Sequence, residues 1–492
     1  MKLKLEKKAI FLIILLFFIA VSVPAFYSMQ VTTSVWADSG YWQDIQDAVD
    51  EVSLLGGGSV YIPEGNWNFV NVGESWNGYR VQAPPGVSIF GAPTQRDADG
   101  QVIEWKTVLT LPWDMPNNDA GWFRFGTEGA GVEKFTRMSD IKMVGYRFTD
   151  HSAQHYYTGI RMQNIIGFRV DHCYLQDICG NGVIGSGTTG TNSPDSHYNV
   201  QGLVDHCKLI NTVGIVAPYD GRTVGYGIYI SRGAGYSLNY PDWEPDASKV
   251  LGKYTDYTCI IEDCYLSKWR HCVVAGNGGH AVVRHSTVEN DYAYGSLDVH
   301  GSNGGRAMEM YECTIIDSVS GGGGQQYATF LRGGSGIAFN NTVGGGTYTA
   351  FLYFSDENSN PTYWINDWYA WDNTMLSGCR EILEYDPSNR ITEGVNYFRS
   401  APAWYQPYPY PHPLVTGEEY VPPENGEEPP PDNDNGQPPS ENDTTPGYIP
   451  PPVELPSIPI ENINEASTIF IIEIGLSVLA IFVVIQGRKK HA

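Results

Sequence analysis

Val170-Asp171-His172-Cys173-Tyr174-Leu175 decides the fold, because the chain repeats its pattern. The same phase returns at Val204-Asp205-His206-Cys207-Lys208-Leu209, Ile261-Glu262-Asp263-Cys264-Tyr265-Leu266, Val283-Arg284-His285-Ser286-Thr287-Val288 and Met310-Tyr311-Glu312-Cys313-Thr314-Ile315. Shorter versions follow at Phe339-Asn340-Asn341-Thr342-Val343 and Trp371-Asp372-Asn373-Thr374-Met375, and a weaker one surrounds Tyr146. Each copy is a short strand, a small polar or thiol residue, and a second short strand. The shared positions 173, 207, 264, 286, 313, 341 and 373 are spaced 34, 57, 22, 27, 28 and 32 apart. Short β-rich units recurring every ~22–30 residues mark a parallel β-solenoid. Its coils stack ~4.8 Å apart, so equivalent side chains form ladders. The 57-residue step holds either two coils or one coil with a long loop near Tyr236 to Lys253.

This phase also reads the cysteines. Four of the eight, Cys173, Cys207, Cys264 and Cys313, share one position with Ser286, Asn341 and Asn373. An interior ladder of free thiols at a bend accounts for all seven, whereas a disulfide framework would not put Ser and Asn in the same register. A Cys173–Cys207 bridge between adjacent coils stays open. There is no CxxC pair to suggest a metal site.

Composition agrees with a strand-rich body. The 492 residues include 55 Gly, 32 Tyr and 13 Trp, and 42% hydrophobic content is too apolar for a disordered chain. With 30 Lys+Arg against 55 Asp+Glu, a net charge of -25 argues against nucleic acid as a partner. The ends point to a cell surface. Lys2, Lys4, Lys7 and Lys8 precede an apolar run from Ala9 to Val23, with small residues near Ala37. Residues 1–37 therefore read as a secretory signal peptide. Ile469 to Ile485 carries one charge, Glu473, and Arg488, Lys489 and Lys490 follow. Residues 468–487 read as a transmembrane helix with a cytoplasmic basic tail, 488–492. Residues 402–467 read as a Pro-rich disordered stalk; from Gly417 to Glu465 they hold 12 Asp+Glu and no Lys or Arg. That leaves 38–401 for the solenoid, which is itself acidic. Of two N-glycosylation sequons, at Asn340 and Asn442, the linker one is the accessible acceptor.

Residues 41–66, YWQDIQDAVDEVSLLGGGSVYIPEGN, resemble the N-terminal cap of pectate-lyase-like right-handed parallel β-helices. Ile45, Ala48, Val49 and Val52 share one helical face, and Gly56-Gly57-Gly58 turns the chain into the strand Ser59 to Ile62. With the repeats, the resemblance spans Tyr41 to Ser400. It implies an all-β solenoid with a capping helix over its open end. It does not fix a reaction, because this fold carries lyases, hydrolases, epimerases and adhesins.

In that superfamily substrates lie along the outer face of one sheet. A third short strand follows most of the shared positions: Gly159–Gln163, Gly182–Ser186, Gly227–Ser231, Cys272–Gly276, Ser296–His300, Ala328–Arg332, Ala350–Phe354 and Glu381–Tyr385. Alternation turns Ile160, Val183, Ile228, Val273, Leu297 and Ile382 inward, and Arg161, Ile184, Tyr229, Val274, Asp298 and Leu383 outward. His300 shares the face of Asp298, ~6.6–7 Å further along the strand. A carboxylate and an imidazole at that spacing suit acid and base work on a sugar ring. The stretch from Tyr294 to His300 also resembles the Tyr-Gly-Phe-Asp-Pro-His motif of mannuronan C5-epimerases, with one residue inserted, Val for the Pro, and no matching lysine. That resemblance implies Tyr294 as acid/base, His300 as its partner and Asp298 as a sugar-binding or charge-tuning group.

Around this pair, Arg332, His271, Arg270, Tyr229, Arg161 and Arg232 are the candidate substrate-binding residues, with Trp269, Tyr292 and Trp243 as further rings for stacking on sugars. His285 falls in the turn phase of His172 and His206 and reads as structural. A zinc site from His271, His280 and His300 lacks ligand spacing, so no metal ligand is assigned. Pectate-type lyases use an Arg or Lys base with Asp-bound calcium; the arginines are present but no acidic trio is, so calcium stays open as cofactor. Polygalacturonase-type hydrolases need paired aspartates, which are absent. Without a Gly-x-Ser-x-Gly elbow, a protease or esterase has no support. The sequence thus predicts a membrane-anchored surface protein that binds a polysaccharide and cleaves or epimerises it, with a non-catalytic adhesin or envelope protein as the alternative.

Overall fold

The computed structural model describes residues 33–416 except 75–77, 99, 113–119, 127–131, 147–156, 188–198, 213–224, 233–243, 291–293, 301–303, 318–326, 357–362 and 377. The chain forms two compact units, Met1–Asn425 and Gly426–Ala492, and all described residues belong to the first. The expected signal peptide through residue 32, the expected stalk beyond 416, the expected membrane span and basic tail, and Tyr292 and Trp243 lie outside them. Among the described residues no helix is long and apolar enough to cross a membrane.

The unit is a right-handed parallel β-helix of three sheets. Sheet A has twelve strands, running from Ser34–Trp36 to Tyr397–Phe398, and sheets B and C have ten each. One coil reads His280–Arg284 in sheet A, Thr287–Asn290 in sheet B and Tyr294–His300 in sheet C, before sheet A resumes at Ala307–Tyr311. The 57-residue step is one coil with a long loop, because Gln201–Asp205 pairs directly with Thr258–Glu262.

The bend between sheets A and B explains the repeat. The residue before each shared position is left-handed: His172, His206, Asp263, His285, Glu312, Asn340 and Asp372 have φ of 52, 51, 52, 47, 56, 53 and 52°. Short polar and imidazole side chains tolerate that region better than β-branched ones. The next side chain then points inward. Cys173, Cys207, Cys264, Ser286, Cys313 and Asn341 are buried there, and all eight cysteines are free. The small polar members satisfy the turn of the coil before: Ser286 Oγ accepts from Cys264 N–H at 3.1 Å, and Asn341 Oδ1 from Cys313 N–H at 3.0 Å.

The helix Trp42–Leu54 caps the first coils, and its buried residues are the predicted Ile45, Ala48, Val49 and Val52. Two stretches outside the expected body of 38–401 are described with it. Ser34–Trp36, inside the stretch assigned to the signal peptide, forms a strand in register with Ser59–Tyr61, so cleavage after Ala37 would remove the first rung of sheet A. Residues 402–416, assigned to the stalk, fold back across the outer face of sheet A. Arg284 donates to the carbonyls of Tyr408 at 2.8 Å and Pro409 at 2.7 Å, and Arg169 to that of Leu414 at 2.6 Å. Proline-rich composition hid aromatic anchors there: Tyr408 and Leu414 join Leu203, Ile260 and Val282 in a second apolar cluster. This strap occupies the outside of sheet A.

Candidate functional site

Strand pairing fixes what the outer face of sheet C displays. One outward ladder runs Gln82, Arg124, Arg161, Ile184, Tyr229, Val274, Asp298 and Phe330 on successive coils. A parallel ladder two residues on runs Gln163, Ser186, Ser231, Gly276 and His300. Arg332 follows Leu331, the partner of Val299, and so stands one coil beyond His300. The intervening Ile160, Val183, Ile228, Val273 and Leu297 fill the core, as alternation requires.

Asp298 is the centre of the site, but not as a groove-surface carboxylate. It is fully buried. Its Oδ2 accepts from Arg332 Nη2 at 2.7 Å and lies 2.6 Å from His300 Nδ1 and 3.4 Å from His271 Nε2. Asp298 and His300 therefore do not flank a ring from a strand's spacing apart; their side chains converge and act as one unit. The His300 contact is close without the direction of a hydrogen bond, and Asp298 Oδ1 has no hydrogen-bond partner. Burial pushes the Asp298 carboxyl above the usual carboxylate range, opposed by His271, Arg332 and Arg270.

His271, placed at the margin by sequence, is central. It opens the strand His271–Gly276 and is buried, and its Nδ1 donates to the Gly295 carbonyl at 2.6 Å. That carbonyl is presented by a local irregularity: the pairing register shifts between Tyr294 and Leu297, and Gly295 has φ of 80°, where a Cβ would press on Phe330. Burial lowers the His271 pKa, opposed by the Asp298 carboxylate, which favours the neutral ring. Of the trio, His300 reaches solvent most, its side chain 25% exposed.

Aromatic rings form one wall. Tyr226 lies 5.5 Å from the His271 ring and 5.6 Å from the His300 ring, with Tyr229 5.6 Å further and the Arg270 guanidinium 5.8 Å over Tyr226. Tyr229 receives a hydrogen bond from Asn277 Nδ2 at 3.0 Å, and its ring covers Gly276, where a Cβ would clash at 2.9 Å. Burial raises the pKa of both tyrosines. Tyr226 was missed by sequence because its strand starts one residue earlier than expected and strict alternation puts it on the face opposite Tyr229.

Other candidates fall elsewhere. Arg161 shares the outward ladder but sits four coils from Asp298, donating to Ser186 Oγ at 3.2 Å. Arg232 is buried at the strand's exit with its guanidinium 4.1 Å over the Tyr257 ring, spent on a corner and not on the groove. Trp269 belongs to the core, its Nε1 bonded to the Leu209 carbonyl. His280 lies in sheet A against Glu309, 2.9 Å away, and His285 holds Glu312 in the turn ladder. Tyr294 begins the strand that carries Asp298 and His300; its side chain is outside the described residues.

No protein-family model matches the sequence, and no curated protein does. Solved β-helix structures do. The A-module of a mannuronan C-5 epimerase from Azotobacter vinelandii is 11% identical, with TM-score 0.31, covering 72% of this chain and 98% of that one. The tailspike of E. coli bacteriophage HK620, in complex with pentasaccharide, is 16% identical, with TM-score 0.42, covering 74% of this chain and 60% of that one. An exopolygalacturonase from Thermotoga maritima is 10% identical, with TM-score 0.37, covering 72% and 91%. All three TM-scores lie below 0.5, so function rests on the site alone.

Proposed function

We propose that this is a carbohydrate-active β-helix that binds an acidic polysaccharide along the outer face of sheet C and acts on it at Asp298 and His300. The observation that carries the reading is one carboxylate, two imidazoles and an arginine gathered around Asp298 on sheet C, beside Tyr226 and Tyr229. Flat rings stack on pyranose faces, and cationic Arg332 and Arg270 offset a uronate carboxylate that the chain's net charge would otherwise repel. The chemistry that fits is proton transfer α to that carboxylate. A base removes the proton from C5, and the electron pair moves into the carboxylate, which Arg332 neutralises. Protonation from the opposite face gives epimerisation. Departure of the C4 oxygen gives a C4=C5 double bond and cleavage. His300, the ring of the cluster that reaches solvent, and Tyr294 form the acid/base pair. The expected signal peptide, acidic stalk and C-terminal span place this body outside a cell, anchored to its membrane.

A second reading is favoured by the burial of Asp298 and His271: the cluster is a structural ion network and the protein a non-catalytic adhesin. The test is incubation of the full chain with acidic and neutral polysaccharides, with and without calcium. Ultraviolet absorbance of an unsaturated ring, new reducing ends, and NMR of the recovered glycan are followed, with His300→Ala alongside. A product that disappears in His300→Ala supports the proposal. Binding without any product supports the adhesin, and binding to nothing overturns both.

A further inference from the structure

We propose that His271, Asp298 and His300 form a binding site for one divalent transition-metal ion. Their donor atoms all lie within 4.8 Å of one another. Three features of the geometry point to a cation at the point where they converge.

The first is the tautomer of His271. Its Nδ1 faces the Gly295 carbonyl at 2.6 Å, and only an N–H can face a carbonyl at that distance. In the neutral ring this leaves Nε2 as the lone-pair atom, and it lies 3.4 Å from Asp298 Oδ2. In that tautomer two buried acceptor atoms face each other, a contact that a cation or a shared proton between them relieves. A backbone carbonyl holding the far N–H is also how metal-ligating histidines are oriented. The second is His300. Its Nδ1 comes to 2.6 Å of the same oxygen without the geometry of a hydrogen bond, so this buried nitrogen is left without a hydrogen-bond partner. The third is Asp298 Oδ1, buried and without a hydrogen-bond partner in a fully buried carboxyl group.

The donor set selects the ion. Two imidazole nitrogens and one carboxylate suit zinc, cobalt, iron(II) or manganese and leave positions open for water or a sugar oxygen. Calcium takes oxygen ligands at higher number, so the ion is not calcium. Arg332 shares Oδ2 at 2.7 Å, and its charge opposes the ion. Two consequences have opposite signs. Removing a histidine ligand weakens metal binding, whereas removing the arginine strengthens it. A network held by shared protons alone behaves otherwise: it takes up no metal in any variant.

Binding is read without polysaccharide, so its outcome is independent of the sugar reading. The full chain is stripped with a chelator and titrated with Co²⁺, followed by visible absorption and calorimetry, then challenged with Zn²⁺. The expected result is one Co²⁺ per chain with ligand-field bands, displaced by Zn²⁺. His271→Gln weakens uptake at least tenfold, Arg332→Gln tightens it several-fold, and His280→Gln, in sheet A, leaves it unchanged. Circular dichroism confirms that each variant is folded. No ligand-field bands in the wild-type chain, or uptake unaffected in folded His271→Gln, overturns the proposal. Should His271→Gln fail to fold, His300→Ala, whose ring is partly exposed, carries the same test.

Discussion

Arg332→Gln tests the electrostatics of the cluster most sharply. It removes the guanidinium that donates to Asp298 Oδ2 at 2.7 Å, and the carboxylate it leaves is fully buried. Removing one partner of a buried ion pair costs about 3–5 kcal/mol. Asp298 can shed most of that cost by taking a proton. Losing the guanidinium drives its already raised pKa further up, because burial is then opposed by fewer positive neighbours. Once protonated, the residual cost is that of an ordinary hydrogen bond, about 1 kcal/mol. The sign follows from linkage. A carboxyl whose folded pKa lies above its unfolded one contributes most at low pH, and that contribution is lost as pH rises through the folded value. The variant should therefore lose about 1 kcal/mol near pH 5 and several-fold more near pH 8. The assay is urea unfolding of both proteins at both pH values in chelator-containing buffer. In an Asp298→Asn background the same substitution should cost under about 1 kcal/mol at either pH. A loss that is equal at both pH values, or undiminished in that background, would refute the assignment of Asp298 as a buried, proton-accepting hub.

Three further outcomes are expected. The strap over sheet A should release in acid: His412 is buried beside Arg284 and Arg169, its Nδ1 accepts from Leu414 N–H, and its pKa is lowered to about 4. Stability from this neutral histidine is full above its unfolded pKa, about 6.5, and lost as pH falls toward 4; hydrogen exchange at residues 401–416 should rise over that window and stay flat in His412→Asn. The thiols should be inert in the folded state, since burial pushes Cys313 up to about 12 and Cys379 up to about 11; alkylation should reach half-buried Cys379 first and the other seven only in denaturant. Gly295→Ala should shift the carbonyl that holds His271, because φ is 80° and Cβ would meet Phe330 at 2.9 Å. A loss of about 1–3 kcal/mol is expected in thermal unfolding, with Co²⁺ uptake lost at the same time.

Much of the coil was legible because its constraints are local. The left-handed turn residue and the inward thiol or amide recur in each coil, so Cys173, Cys207 and Asn341 announce the bend without any long-range information. Alternation then set the in-or-out sense of sheet C, and with it the shared face of Asp298 and His300. Three things depend on contacts that no periodicity encodes. Burial of Asp298 comes from side chains on neighbouring coils, Arg332 and His271 among them. The role of His271 depends on the Gly295 irregularity, where the register shifts. The strap at 402–416 reads as linker because its prolines mask Tyr408 and Leu414, whose partners lie more than a hundred residues earlier.

The central claim is that sugar is bound on the outer face of sheet C at the coil of Asp298. The most direct measurement is an experimental structure of the full chain with a bound uronate oligosaccharide. The predicted result is a chain of rings running across successive coils, one ring over Tyr226 and Tyr229 with its carboxylate facing Arg332 and its C5 near His300. Oligosaccharide lying against sheet B or the strap, with the Asp298 cluster untouched, would contradict it.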